Sequence, residues 1–297
     1  MPSGCRSPAT GTSRESLRQP ELRPRMRGTS RRAVATVIFP RPASKGQRAW
    51  IWVSGVARTC YAPCVRQVPP NLHSIRGIMG CCFLLEDGDA SVMIDTGMVG
   101  EPLLIRRLVR RLGLRPDSIQ AILLTHGHLD HAGNLAWLKA WSGAKVFAHR
   151  EEQRHVDGTY PYSGIAKWCG RLEAAGRWLF RYRPAAIDEF LTDGQALPFW
   201  GGLRVLHLPG HTAGHCGFFS AKHDLLFSGD LMASYFFNTH RPPAILNSVP
   251  EFFPVSVEQV RRLNPRWIVP CHYDYLDGEL HRRRFAKLYG IEWPAAK

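Results

Sequence analysis

Apolar positions along the chain come in short runs, and the period of each run assigns its element. Residues 81–85 and 90–94 are apolar runs on either side of Glu86-Asp87-Gly88-Asp89, which predicts two strands joined as a hairpin. Residues 101–112 switch to a helical period. Ile105, Leu108, Val109 and Leu112 share one face, and Arg106, Arg107, Arg110 and Arg111 share the opposite, solvated one. Pro102 suits the first turn of that helix and Gly113 the residue after its end. A strand at 119–124, a helix at 132–141 closed by Gly143 and a strand at 145–148 follow. Residues 150–192 read as a mostly helical, lid-like insertion carrying Tyr160, Tyr162, Trp168, Trp178, Phe180 and Tyr182. Further strands are expected at 203–208, 216–219, 225–228 and 267–269, with helices at 257–263 and 279–289. Helix and strand alternate without an internal repeat, but hairpins interrupt the alternation. The expectation is therefore an α/β fold with mixed sheets.

Residues 1–66 break this texture. They are rich in Arg, Pro, Ser and Gly and show no sustained period, so they cannot bury enough apolar surface to offset their ordering entropy. The expected organisation is a disordered basic extension over 1–66, a folded domain over 67–290 and a tail over 291–297. The formal charge of +15 follows the same division. The extension holds 13 Lys and Arg against two acids, while the remainder holds 26 against 22, so the basicity says little about the folded part. Ser30-Arg31-Arg32 precedes an apolar stretch at 33–39 that hints at a twin-arginine export signal. That stretch is short and lacks a clear cleavage site, and the segment reads instead as a dispensable extension. Eight scattered cysteines show no disulfide framework, and Cys60 and Cys64 lack the second pair that a zinc site needs. No apolar run approaches the ~20 residues of a membrane span. A cytoplasmic protein without a membrane partner is expected, with its oligomeric state left open.

The chemistry concentrates at strand ends. Asp95 closes one strand; His126, His128, Asp130 and His131 follow another; His211, Asp230 and His272 follow three more. Imidazole and carboxylate are the ligand types that bind Zn²⁺ while leaving one position open for catalysis. A tight His-x-His-x-Asp-His loop can turn its first two imidazoles to one ion and its Asp and His to a second. Taken singly, a histidine is more often structural, and His73, His149, His155, His223, His240 and His281 are left in that class. His207 and His215 are assigned supporting roles behind the ligands.

With these motifs in this order, residues 67–290 resemble the metallo-β-lactamase superfamily, in its glyoxalase II-like and lactonase-like branch. The resemblance implies a four-layer αβ/βα sandwich, two mixed sheets face to face with helices outside. It implies two divalent metal ions, with Zn²⁺ expected and Fe or Mn as alternatives. His126, His128 and His211 would hold one, Asp130, His131 and His272 the other, Asp230 would bridge them, and Asp95 would brace the histidine loop. The implied activity is hydrolysis of a small-molecule acyl substrate, with metal-bound hydroxide attacking an ester, thioester or lactone carbonyl. Asp130 would act catalytically by orienting the nucleophile as well as ligating. An acid at Asp230 argues against the true β-lactamases, and the full ligand set argues against the mono-iron persulfide dioxygenases of the superfamily. The stretch Leu231-Met232-Ala233-Ser234-Tyr235 lacks the Gly-Cys-Gly-Arg of the hydroxyacylglutathione hydrolases, whereas lactonases carry Tyr where Ala233 stands, leaving Tyr235 to substitute. A metal-dependent nuclease of the same superfamily is the alternative, disfavoured by the near-neutral folded part. Trp168, Trp178 and Tyr182 are expected either to wall the acyl site or to pack the lid onto the domain.

Overall fold

The computed structural model describes residues 50–53, 56–59, 68–77, 80–159, 162, 164–234 and 239–293. The chain divides into two units between Pro63 and Cys64. In the first, β1 (Trp50–Val53) and β2 (Val56–Thr59) pair as an antiparallel hairpin within the stretch expected to lack regular structure. The remainder of that expectation, with the export motif, Cys60 and Cys64, lies outside the described residues.

The second unit carries two mixed sheets. One has six strands in the order β3 (Leu72–Arg76), β4 (Cys81–Asp87), β5 (Ala90–Ile94), β6 (Ile119–Leu123), β7 (Lys145–His149) and β8 (Glu189–Leu191). Its first two pairings are antiparallel and its last three parallel. The second sheet runs from β9 (Ala196–Leu197) through β10 (Leu203–His207), β11 (Cys216–Ser220) and β12 (Leu225–Ser234) to β13 (Trp267–Tyr273). Only its β12–β13 pair is parallel. The predicted hairpin turns on Gly88-Asp89, pairing Asp87 with Ala90, and Gly88 supplies the positive φ of 65° that a two-residue turn demands.

The strands read as continuous apolar runs because both of their faces are covered. Phe83, Leu85, Val92, Ile94, Ala121 and Leu123 meet Val205, Phe218, Phe227 and Val269 between the sheets. The alternate residues Cys82, Leu84, Met93 and Ile122 pack outward on α1 (Glu101–Arg111) and α3 (Leu135–Ser142), which follows the single turn α2 (Leu129–Ala132). Short α4 (Gln153–Val156) and longer α5 (Lys167–Leu179) come next in the chain. On the far side, Leu206, Leu226 and Ile268 pack on α6 (Phe253–Leu263) and α7 (Gly278–Tyr289). The expected four-layer sandwich is thus formed.

Three expectations need adjustment. The helix at 132–141 is two pieces, broken where Asn134 turns its amide to the Thr96 carbonyl at 2.9 Å. The insertion is less helical than expected, since 183–188 are irregular and 189–191 add the edge strand β8. The tail is partly domain: Trp293 stacks on Phe285 with ring centroids 6.1 Å apart.

His281 on α7 packs its ring 5.4 Å from that of Tyr273 and is fully buried, its Nε2–H donating to the Tyr275 carbonyl at 2.7 Å. Burial lowers its pKa from 6.5 to about 4. The unfolded chain therefore binds a proton between those values that the folded chain does not, so stability is full above pH ~6.5 and declines as pH falls toward 4. The expected loss is on the order of 3 kcal/mol. Urea titrations at pH 7 and pH 4.5 check it, and His281→Gln should narrow the difference by about that amount, the other buried histidines keeping theirs.

Candidate metal centre

Loops at the carboxyl ends of the six-stranded sheet face β12 and β13, and there the candidate residues converge. Asp95 follows β5 in a left-handed conformation (φ 57°) that turns its carboxylate under the histidine loop. It accepts from Thr125 N and Thr125 Oγ1, each at 2.8 Å, and from Cys271 Sγ at 3.2 Å, and it lies 2.8 Å from His131 Nδ1. The loop is thus fixed at its start by backbone and side chain together, and the His131 ring is aimed with Nε2 outward.

His126, His128 and His211 come together with one ring nitrogen of each within 4.8 Å of the others. His131 and His272 form a second group with Asp130, their Nε2 atoms 3.2 Å apart. Asp230 stands between the groups: Oδ2 is 3.4 Å from His211 Nε2 and 3.2 Å from His272 Nε2, and Oδ1 is 3.6 Å from His131 Nε2. Asp230 and His272 lie inside β12 and β13 rather than beyond strand ends, because a bulge in the β12–β13 register carries both strands past the site. Within that bulge a Cβ on Gly229 would fall 2.4 Å from His215 Nε2, so only glycine lets the backbone approach. His215 uses that closeness, accepting from Asp230 N at 2.9 Å and so holding the carboxylate's backbone in place. His207 spends its Nε2 on the Ala213 carbonyl at 2.8 Å, bracing the loop that carries His211.

The electrostatics divide the cluster. Burial pushes the His126 and His128 imidazoles well below the usual histidine range and lowers His211 as well, leaving three neutral rings. Burial opposes charge on His131 and His272 too, but the carboxylates of Asp130 and Asp230 outweigh it and hold both well above that range. Those imidazoliums in turn overcome burial at Asp230 and keep it well below the ordinary carboxylate range. One half is a set of neutral nitrogen donors; the other is carboxylate whose charge is balanced by protons.

Four buried polar atoms of the cluster have no hydrogen-bond partner among the described residues: Nε2 of His126, His128 and His211, and Oδ1 of Asp230. Leaving one such group unpaired costs roughly 1–3 kcal/mol. Four aimed at a common space is the pattern expected of cation ligands, so the donor set fits metal ions.

Several residues that the sequence reading missed hold this arrangement. Glu152, fully buried after β7, accepts from Gly127 N at 2.7 Å, Thr212 Oγ1 at 2.6 Å and Gly214 N at 2.9 Å, tying two histidine loops together. An acid just past a strand end was the available signal, as at Asp95. On α5, Glu173 accepts from Leu129 N at 2.9 Å and Arg177 donates to the Gly127 carbonyl at 3.0 Å, gripping the backbone on both sides of His128. Asn247 Oδ1 lies 2.9 Å from His211 Nδ1, so that nitrogen carries the proton and Nε2 keeps its lone pair. Nothing in the local sequence marks Asn247. Asn247→Ala should weaken metal affinity 10–100-fold, the usual effect of losing such a partner, as measured by competition with a chelating dye. Of the residues expected either to wall the site or to pack the lid, Trp168 and Trp178 are exposed, and Tyr182 donates to the Val156 carbonyl at 2.8 Å, so they pack or face outward. Tyr160 and Tyr235 lie outside the described residues.

Comparison with known proteins identifies the family of this fold. Residues 76–272 match the family model of the metallo-β-lactamase superfamily. The hydroxyacylglutathione hydrolase GloC of Haemophilus influenzae is 30% identical over 159 residues, covering 51% of this chain and 66% of that protein. The hydroxyacylglutathione hydrolase of Bdellovibrio bacteriovorus is 27% identical over 202 residues, 67% of this chain and 64% of its own. The chain thus spans less than two thirds of the length of either relative. Among solved structures, TTHA1623 in a di-iron-bound form is similar with a TM-score of 0.55 and 27% identity, covering 72% of this chain and 97% of that one. The metallo-β-lactamase family protein TTHA1429 of Thermus thermophilus shares the fold, with a TM-score of 0.60, 23% identity and coverage of 75% and 79%. By fold, by the order of its histidine and aspartate motifs and by the match over most of its described length, the chain belongs to the metallo-β-lactamase superfamily.

Proposed function

We propose that this protein is a binuclear metal-dependent hydrolase acting on an ester, thioester or lactone bond of a small acyl substrate. The observation that carries the reading is the convergence of four unpartnered buried ligand atoms, three imidazole Nε2 and the Oδ1 of Asp230. His126, His128 and His211 would hold one ion, Asp130, His131 and His272 the other, and Asp230 would touch both. A pair of divalent ions, zinc in this reading, would bring the pKa of a water between them toward ~7 and polarise the scissile carbonyl. The chain's own contribution is orientation. Asp95 and Asn247 fix which nitrogen of His131 and His211 faces the centre, and Glu152 holds the two histidine loops at one separation. Asp130 is part-exposed at the cavity edge, Oδ2 3.3 Å from His272 Nε2, where it can orient a nucleophile as well as ligate.

The names of the relatives suggest a glutathione thioester, and the carbonyl chemistry is common to that class and to lactones. A phosphodiesterase reading finds less support, since no Lys or Arg lines the cavity at the cluster among the described residues. No helix of the described residues is long and apolar enough to cross a membrane. The buried thiols Cys81, Cys82, Cys169, Cys216 and Cys271 are free, in keeping with a reducing cytoplasmic setting. The test is metal analysis of purified protein with a panel of lactone, thioester, cephalosporin and phosphodiester substrates. Turnover of the first two, lost on chelation and restored by zinc, is expected. Metal-dependent cleavage of the phosphodiester alone would overturn the assignment.

A further inference from the structure

The cavity beside the cluster is more apolar than hydrolysis of a small acyl compound requires. It encloses about 530 Å³. His128, Asp130, His211, Asp230 and His272 form one wall, and Leu129, Leu172, Phe180, Pro242, Pro243 and Leu246 stand around the rest. Gly176 continues this surface where α5 passes closest to the metal loop. A Cβ there would lie 2.8 Å from Leu129 Cδ2, so its bare backbone keeps the space open. The one acid of the lining outside the cluster, Glu173, has its oxygens on Leu129 N and the Tyr162 hydroxyl at 2.9 and 2.8 Å. No Lys or Arg lines the cavity among the described residues, and its one cationic group, the His272 imidazole, stands in the cluster wall against Asp130 and Asp230. A substrate carrying carboxylates into the apolar part of this space, away from the cluster wall, would lose hydration with no Lys or Arg to replace it. A hydrocarbon chain would gain with each methylene, roughly fourfold in affinity.

We propose that this cavity is an acyl-chain site, selecting uncharged hydrocarbon acyl groups of medium length on an uncharged leaving group and discriminating against the same acyl groups on glutathione. The inference rests on the hydrolase reading only for where the scissile carbonyl sits; the apolar site stands by itself.

The full chain serves for the test, in two arms. Calorimetric titration of metal-free protein with straight-chain primary amides, hexanamide to decanamide, reads binding without turnover. Affinity should rise roughly fourfold per methylene. Leu172 is 66% exposed, so Leu172→Arg alters the cavity wall without disturbing the core, and it should cut decanamide affinity tenfold or more. Leu246→Glu gives a second, independent placement of charge. In the other arm, kcat/KM of zinc-loaded protein is compared for N-acetylcysteamine and glutathione thioesters of the same two- to ten-carbon acyl groups. The neutral carrier should be favoured at least tenfold, with rates rising along the series. Amide affinity independent of chain length, or a preference for the glutathione carrier, overturns the inference. Should the amides bind as described while no thioester, ester or lactone is cleaved, the hydrolase reading falls and the acyl site stands. Rapid cleavage of short glutathione thioesters without amide binding does the reverse, overturning the acyl site and leaving the hydrolase reading in place.

Discussion

Asp230→Ala will bind one divalent ion per chain where the unaltered protein binds two, and its turnover will fall by roughly 10²–10³-fold, the effect of removing one preorganised electrostatic element. The expectation follows from position. Asp230 offers a carboxylate to both groups, Oδ2 within 3.4 Å of His211 Nε2 and 3.2 Å of His272 Nε2. Without it the three neutral imidazoles still form a complete nitrogen set for one ion. The other half loses a carboxylate and keeps two imidazoles whose raised proton affinity depended partly on it. Metal content by mass spectrometry and kcat on a generic thioester read the two effects separately. A variant that retained two ions and full turnover would remove Asp230 from the proposed centre.

The second large effect is on folding. Glu152→Ala strands Gly127 N, Gly214 N and the Thr212 hydroxyl in a fully buried position. Each unpaired donor costs roughly 1–3 kcal/mol, so the loss is on the order of 5 kcal/mol, a fall in Tm of more than ~10 °C for a unit of this size. Glu152→Gln distinguishes hydrogen bonding from shape. Its amide oxygen can still serve Thr212 and Gly214, but its NH₂ then meets the Gly127 donor, so it should fall between the parent and the alanine variant. Thermal denaturation of all three reads the order. Equal stability of the glutamine variant and the parent would mean that the Gly127 contact contributes nothing.

Much of this was readable from the chain. The continuous apolar run of Cys82, Phe83, Leu84 and Leu85 marked the strand, and in the fold its side chains alternate between two cores. His126, His128, Asp130 and His131 are adjacent in sequence, so one loop declared most of the centre, and His211, Asp230 and His272 each sat by a recognisable strand. What escaped the sequence acts at long range. Asn247 meets His211 from a loop 36 positions away, and Glu152 meets Gly214 across 62. Neither contact leaves a local period. The edge strands β8 and β9 are three and two residues long, too short for alternation to register. The sequence left open whether Trp168, Trp178 and Tyr182 wall the site or pack the lid. Trp168 and Trp178 face outward, whereas the cavity is lined by the quieter stripe of Leu172, Gly176 and Phe180, spaced four apart along the helix. That stripe was present in the sequence, but its central member is a glycine, which hydrophobic periodicity does not count.

The most direct test of the centre is an anomalous diffraction measurement on crystals of the full chain grown with zinc. Two peaks roughly 4 Å apart are expected. One would be bonded by His126, His128 and His211, the other by Asp130, His131 and His272, with Asp230 in contact with both. A single peak at full zinc occupancy, or ions bound away from Asp230, would contradict this arrangement.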